Sequence, residues 1–191
     1  MIKIYGAEYN NIRIRPIVET DIEKLRVWRN NADISKFLRP VGEITKEMQK
    51  AWYDEYERDD KMLTFAIEET KDLKRMVGSV AFYEYEGEES KIGKTVVGDP
   101  EAKGKSVGFW GELLALYLGF ERYGVKIFRT EVHEKNIASQ KMITKHGFIK
   151  TGKRKAFDGG IEDEMYMTKE RLMEVHPYLN ESCIFCISHK E

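Results

Sequence analysis

Apolar and polar residues alternate along some segments of this chain and recur at helical spacing in others. Residues 12–18 alternate apolar and basic side chains, which predicts a strand ending near Pro16. Residues 19–31 and 45–59 repeat apolar side chains every three or four positions, which predicts two helices. Strand-like alternation returns in three segments, with a polar hairpin turn before the third: residues 62–68, 75–85 and 91–99.

The second half of the chain begins with a glycine-rich stretch before a long apolar helical pattern. Its predicted elements are a helix from residue 107, a strand at 125–134, a helix at 136–147, and strands at 148–157 and 161–169. Gly147 is the expected C-terminal cap of the second helix. This order of elements predicts a mixed α/β (α+β) fold.

Composition and charge narrow the classes of protein that fit. The chain has 191 residues, 41% of them hydrophobic, which suits one domain with a packed core. The net charge is -1 with both signs scattered, so neither a nucleic acid nor a membrane surface is an expected partner. No apolar run could span a bilayer and the N-terminus lacks a signal-peptide core, so a cytoplasmic location is expected.

The only two cysteines, Cys183 and Cys186, lie near the C-terminus with His176 and His189 nearby. A structural zinc site usually has a second paired motif, which is missing here, so no metal is expected. The thiols are predicted to stay reduced, in a segment that packs on the domain or on another subunit. The sequence therefore does not decide whether the protein forms a homodimer.

A glycine-rich run stands where the long helix begins: Lys103, Gly104, Lys105, Ser106, Val107 and Gly108. The free N–H groups and partial positive charge of a helix N-terminus favour a phosphate there, and the lysines add charge. The alternative is a tight turn with two solvated lysines. The run matches neither the P-loop nor the dinucleotide-binding fingerprint.

The chain resembles the GNAT superfamily of N-acetyltransferases from Ile12 to Thr168. The family's Gln/Arg-x-x-Gly-x-Gly/Ala motif falls on residues 103–108, with Lys103 and Ser106 departing from it. A second match is the Asn-initiated helix with its Gly-Phe end: Asn136, Ser139, Gly147 and Phe148. The predicted domains are a GNAT-like domain over residues 1–168 and a short C-terminal helical extension over 169–191.

The resemblance implies a mixed, mostly antiparallel sheet with a splayed central strand, flanked by helices, and acetyl-CoA as cosubstrate. Pantetheine would pair with the backbone of residues 95–97, and an N–H of that strand would stabilise the oxyanion. Ser106 is expected to offer its N–H provided that the backbone there needs no positive φ. The implied cosubstrate-binding residues are Val96, Val97, Lys103, Gly104, Lys105, Ser106, Val107, Gly108, Asn136 and Ser139.

Direct transfer needs an unprotonated amine and a proton for the leaving thiolate. Glu131 and His133 share one strand face and are the candidate bases, although Glu131 could be a solvated strand residue and His133 a cap of the next loop. Many relatives have a tyrosine that acts as the general acid at the position of Ile143, and a glutamate at the position of Lys91. Ser139 or a water could return the proton instead.

The acceptor side is expected from the first helices and the third strand, where aromatic rings could stack on a base and an arginine could pair with phosphate. The candidates are Trp28, Arg29, Trp52, Tyr83 and Tyr85. The two tryptophans could equally be core residues.

Trp28-Arg29-Asn30 resembles the branch that acetylates nucleotide-linked amino sugars, which makes such a small-molecule amine the first expectation. The alternatives are a ribosomal-protein-type peptide N-terminus and a catalytically silent acyl-CoA-binding module.

Overall fold

The computed structural model describes residues 3–187. Its strands are β1 (Tyr5–Tyr9), β2 (Ile12–Pro16), β3 (Leu63–Glu69), β4 (Arg75–Glu86), β5 (Glu89–Val97), β6 (Ile127–His133), β7 (Ile149–Lys155), β8 (Ile161–Thr168) and β9 (Ile184–Cys186). Its helices are α1 (Ile22–Asn30), α2 (Ala32–Ser35), α3 (Lys46–Arg58), α4 (Val107–Arg122), α5 (Ile137–His146) and α6 (Lys169–Val175).

The strands form one nine-stranded sheet in the order β7-β8-β6-β5-β4-β3-β2-β1-β9. Neighbouring strands run antiparallel except β5 and β6, which are parallel. The expected mixed, mostly antiparallel sheet flanked by helices is confirmed.

Strands β5 and β6 separate soon after they begin. They pair only between residues 89–91 and 127–129, and the rest of β5 pairs with β4 while the rest of β6 pairs with β8. A register shift opposite Ser79 and Ala81 and the positive φ of Lys94 (51°) mark a bulge in β5. Because a bulge bends its strand, β5 turns away from β6 and a crevice opens between them. This is the expected splay.

The core lies on both faces of the sheet. Consecutive residues of β3 point to opposite faces, so Phe65 packs in the larger cluster with α4 and Ala66 in the smaller one with α3. Helix α4 is buried over most of its length, which agrees with its broad apolar stripe. The loop before α4 is thus anchored by the most deeply buried helix of the domain.

The sequence pattern missed β1, α2 and β9. Strands β1 and β2 are joined at Asn10 and Asn11, whose φ angles of 54° and 62° match the turn type that two-residue hairpins prefer. That Asn-Asn pair was the available signal for β1. Strand β9 alternates over only three residues and becomes a strand because it pairs with β1.

The segment after Thr168 begins with α6 and returns to the sheet at β9. The boundary after Thr168 stays a prediction. Cys183 is buried and Cys186 exposed, both as free thiols, while His189 lies outside the described residues. Within residues 3–187 there is no group of three or more potential metal ligands. None of the helices in that range is both long and apolar enough to cross a membrane.

Candidate active site

The first turn of α4 has the geometry of an anion site. Its first hydrogen bond runs from the Trp110 N–H to the Ser106 carbonyl at 3.1 Å. In the described part of the chain, the N–H groups of Val107, Gly108 and Phe109 therefore have no backbone acceptor, and no side chain caps them. Free N–H groups at the positive end of a helix dipole suit the pyrophosphate of CoA.

The glycine and lysines of this loop leave the backbone accessible. Gly104 has a φ of 79°, and a side chain there would meet open space. Lys103 and Lys105 are exposed and form no ion pair within residues 3–187. Gly108 faces β5 so closely that an added Cβ would lie 3.3 Å from Val97. Glycine at that position lets α4 approach the splayed strand.

Ser106 adopts the left-handed conformation, with φ at 58°. From the sequence, Ser106 is expected to offer its N–H to a phosphate provided that the backbone there needs no positive φ. The structure does not meet this condition. An L-residue with a side chain pays a steric cost in that region, whereas glycine does not. The family's preference for glycine at this position has a direct conformational reason.

Replacing Ser106 by glycine is expected to raise the free energy of unfolding by about 0.5–1 kcal/mol, because relief of the left-handed strain exceeds the added entropy of the unfolded chain. Urea denaturation would measure it. Lys103→Gly is the matched control, since Lys103 has an ordinary φ of -60°, and there glycine should lower stability by about 0.5–1 kcal/mol. Equal effects of the two substitutions would contradict the argument.

The crevice between β5 and β6 has a volume of about 250 Å³. It brings together four residues predicted from the sequence, Glu131, His133, Asn136 and Ser139, and adds Thr95 from β5. The β6 side of residues 92–97 is unpaired among the described strands. An extended ligand arm could add there like a strand, which agrees with the predicted pantetheine path over residues 95–97.

His133 uses both ring nitrogens. Nδ1 accepts a hydrogen bond from the Lys135 N–H at 3.0 Å, so the ring proton lies on Nε2 and is donated to Asp158 at 3.1 Å. This is the loop-capping role that the sequence left open. The arrangement occupies the lone pair that a base would need.

Glu131 lies partly buried in the crevice, and its side chain is 17% exposed. Its Oε1 lies 3.0 Å from Lys91 Nζ and 3.2 Å from the guanidinium of Arg154. Lys91 thus orients the carboxylate from the position where many relatives have a glutamate. Of the two candidate bases, Glu131 is the one that faces the crevice without a hydrogen-bonding role in a turn.

Helix α5 forms the other wall of the crevice. The Asn136 side chain caps it by accepting from the Ser139 N–H at 3.2 Å, and Gly147 ends it with a φ of 90°. Ile143 is buried and lines the crevice, where it has no proton to donate.

A second cavity of about 450 Å³ adjoins the crevice, and both are lined by Leu38 and Lys94. It gathers Trp28, Arg29 and Trp52, as predicted, and Val96 of β5 lines it as well. Both tryptophans also pack on the smaller core cluster, as the core interpretation expected, and their binding role stays a prediction. We call this space the acceptor cavity.

The acceptor cavity is cationic. Arg29, Arg39 and Lys94 line it, and no carboxylate is present among its described lining residues. None of the three takes part in an ion pair within residues 3–187; the Arg29 guanidinium donates to the Arg39 carbonyl. Desolvation lowers the pKa of Arg29 and of Lys94; for Lys94 the charges of Glu84 and Asp59 oppose this effect and the Arg29 charge adds to it. Converging cations with no carboxylate in the described cavity lining favour an anionic ligand.

The two tyrosines predicted for the acceptor side, Tyr83 and Tyr85, lie in different parts of the structure. The Tyr83 ring lies beneath the Lys94 ammonium, 4.2 Å from its centroid, and so supports the cavity from below. Glu84 has a positive φ (52°) and the register shifts after Tyr83. Tyr85 consequently packs with the larger core cluster and lines a surface depression with Tyr5 and Tyr123. The structure separates Tyr85 from the acceptor cavity, because the bulge reverses the expected alternation.

Sequence patterns missed three charged residues of the site: Arg39, Lys94 and Glu112. Lys94 stands between Gly93 and Thr95 in an ordinary strand pattern, and only the bulge turns it into the cavity. Glu112 is the only charged residue between Val107 and Phe120 of α4, which was a usable signal, because a charged residue is seldom buried without a role.

Comparison with known protein families identifies the family of this chain. The Acetyltransferase (GNAT) domain model matches residues 11–149. The chain belongs to the GNAT acetyltransferase family.

Three similar proteins were found for this GNAT protein. An uncharacterised protein of Methanocaldococcus jannaschii is 31% identical over 77% of this chain, which spans 30% of that relative's length. Spermidine N-acetyltransferase from Vibrio cholerae, crystallised with CoA and spermine, is 16% identical with a TM-score of 0.78, covering 86% of this chain and 99% of its own. FdhC, named as a nucleotide-linked sugar GNAT, is 20% identical with a TM-score of 0.75, covering 91% and 95%. The last two show the shared fold.

Proposed function

We propose that this GNAT protein transfers the acetyl group of acetyl-CoA to a primary amine on a negatively charged small molecule, with a nucleotide-linked amino sugar as the first candidate. The charge of the acceptor cavity is the observation that supports an anionic acceptor. Arg29, Arg39 and Lys94 line it without a carboxylate among the described residues. A polyamine would bring positive charge to these cations, which is unfavourable.

The shape of the site supports a nucleotide at one end and an amine at the other. Trp28 and Trp52 offer aromatic faces on which a base can stack, and the cations can pair with phosphate oxygens. The cavity meets the crevice at Lys94 and Leu38. A sugar amine that passes this junction comes near Glu131.

The residues that would hold acetyl-CoA lie in the loop before α4 and along the edge of β5 that separates from β6. The free N–H groups of residues 107–109, with Lys103 and Lys105, would hold the pyrophosphate, and the open edge of β5 at residues 95–97 would hold pantetheine. Bound acetyl-CoA supplies an activated acetyl group. Glu131 would take the proton from the acceptor amine, because direct attack needs the amine's lone pair.

The test is release of free CoA, followed by chromatography, with three acceptor classes: nucleoside-diphosphate-linked amino sugars, spermidine and ribosomal-protein N-terminal peptides. We expect turnover with the nucleotide-linked sugars and loss of it when the nucleotide is removed. Selective turnover of spermidine or of a peptide would overturn the proposed acceptor. Binding of acetyl-CoA without turnover of any class would favour the silent module.

A further inference from the structure

Glu112 is a carboxyl group buried within α4 at the floor of the crevice. The residue is 2% exposed and lines the crevice together with Thr95, Ser139 and Ile143. Oε2 accepts a hydrogen bond from the Thr95 hydroxyl, while Oε1 has no hydrogen-bond partner among residues 3–187. An unpartnered oxygen this deeply buried is costly unless the group has a function or a ligand completes it.

The surroundings of Glu112 favour its protonated form. Burial raises the pKa of Glu112 to about 7, against the opposing effect of the Thr95 hydrogen bond. His146 Nε2 lies 3.8 Å from Oε1, and burial lowers the pKa of His146 to about 3. A neutral His146 provides no counter-charge, so Glu112 holds a proton in a large share of molecules at neutral pH.

We propose that Glu112, which lines the crevice, is the catalytic acid of acetyl transfer and delivers its carboxyl proton to the leaving sulfur. Ile143 cannot donate a proton, and the Ser139 hydroxyl is a much weaker acid than a carboxyl group. This inference rests on acetyl transfer within the family and is independent of which amine accepts the group.

The step balances without an additional reactant. The amine nitrogen forms a bond to the acetyl carbon, the carbon–sulfur bond breaks, and its electron pair stays on sulfur. The acceptor attacks as the neutral amine, after its ammonium form has lost a proton to Glu131. As the amide forms, the Glu112 proton moves to that sulfur and the nitrogen loses its second proton to solvent. Exchange with solvent then protonates Glu112 and deprotonates Glu131 for the next turnover.

The first test needs no acceptor. Calorimetric titration with CoA in buffers of different ionisation enthalpy measures proton uptake on binding. A ligand that seals the crevice should complete the protonation of Glu112, so the wild type takes up a fraction of a proton near pH 7. Glu112→Gln keeps the shape and should lose this uptake. Lys94, Glu131, His133 and Glu162 also face the crevice and are the same in both proteins, so the difference reports Glu112.

Thr95→Val gives a second, independent readout. It removes the hydrogen bond that lowers the pKa of Glu112, so the midpoint of proton uptake should move to higher pH. This variant keeps the proposal testable even if Glu112→Gln folds poorly. A midpoint unchanged in Thr95→Val, or uptake that persists in a folded Glu112→Gln protein, would overturn the proposal.

Turnover with any accepted amine gives the third readout. The wild-type rate constant should fall as the pH rises through about 7, because the acid loses its proton. Glu112→Gln should lack this fall and have a kcat about 100-fold lower, near the lower limit for general acid catalysis. If Glu112→Gln keeps the wild-type kcat and the alkaline fall while Ser139→Ala lowers kcat about 100-fold, Ser139 is the acid and the inference is wrong.

Discussion

Replacing Lys94 by glutamate is expected to raise the KM for the acceptor at least about 100-fold while the affinity for acetyl-CoA changes little. Lys94 lines the acceptor cavity without an ion-pair partner among the described residues, so an anionic acceptor would be its natural counter-charge. A hydrogen bond between charged groups contributes about 1.5–3 kcal/mol, and the new carboxylate adds repulsion. Lys94→Met, which only removes the charge, should raise KM about 10-fold.

Steady-state kinetics and thermal shift with acetyl-CoA would separate the two effects. Lys61→Glu is the matched control, because Lys61 lines a separate surface depression and not the acceptor cavity, and its replacement changes the net charge equally. Since the pKa of Lys94 is lowered, the wild-type KM should start to rise at a lower pH than an ordinary lysine would give. Better binding of the acceptor by Lys94→Glu would mean that the acceptor is cationic, and the proposed class would be wrong.

Replacing Gly119 by valine is expected to lower the free energy of unfolding by about 3 kcal/mol. A Cβ built on Gly119 lies 2.4 Å from Cζ of Phe128, whose ring is fully buried and packed against Phe82 and Phe120. The ring has no free space to move into, and forced overpacking of a core costs about 1–3 kcal/mol, to which a β-branched side chain adds helix strain.

Urea denaturation of a double-mutant cycle would check this mechanism. Phe128→Leu removes atoms from the place where the valine would clash, so the double variant should be less destabilised than the sum of the single variants. Additive losses would show that the contact between α4 and β6 is not the cause.

Several parts of the fold could be read from the sequence because their information is local. The apolar stripe of α4 and the alternation in β3 specify which faces are buried, whatever the rest of the chain does. The glycine-rich entry to α4 likewise predicted free N–H groups at that helix end. Strand β9 could not be found this way, because its three residues become a strand only through pairing with β1.

The charged residues of the site depended on the tertiary structure. Alternation along β4 put Tyr83 and Tyr85 on one face, but the positive φ of Glu84 separated them. Lys94 looked like an ordinary strand residue until the bulge in β5 turned it into the acceptor cavity.

The sequence by itself determined the order of the elements from β2 to β8 apart from α2, the resemblance to the GNAT family and the position of the glycine-rich loop, because periodicity and short motifs lie within single segments. Only the tertiary structure decided the chemistry around them. It separated β5 from β6, placed His133 in the hydrogen bonds of a turn, gathered three cations in a cavity that no carboxylate of the described residues lines, and buried Glu112 in the wall of the crevice. Burial and charge pairing depend on residues far apart in the chain, so they become defined only when the sheet and its helices pack together.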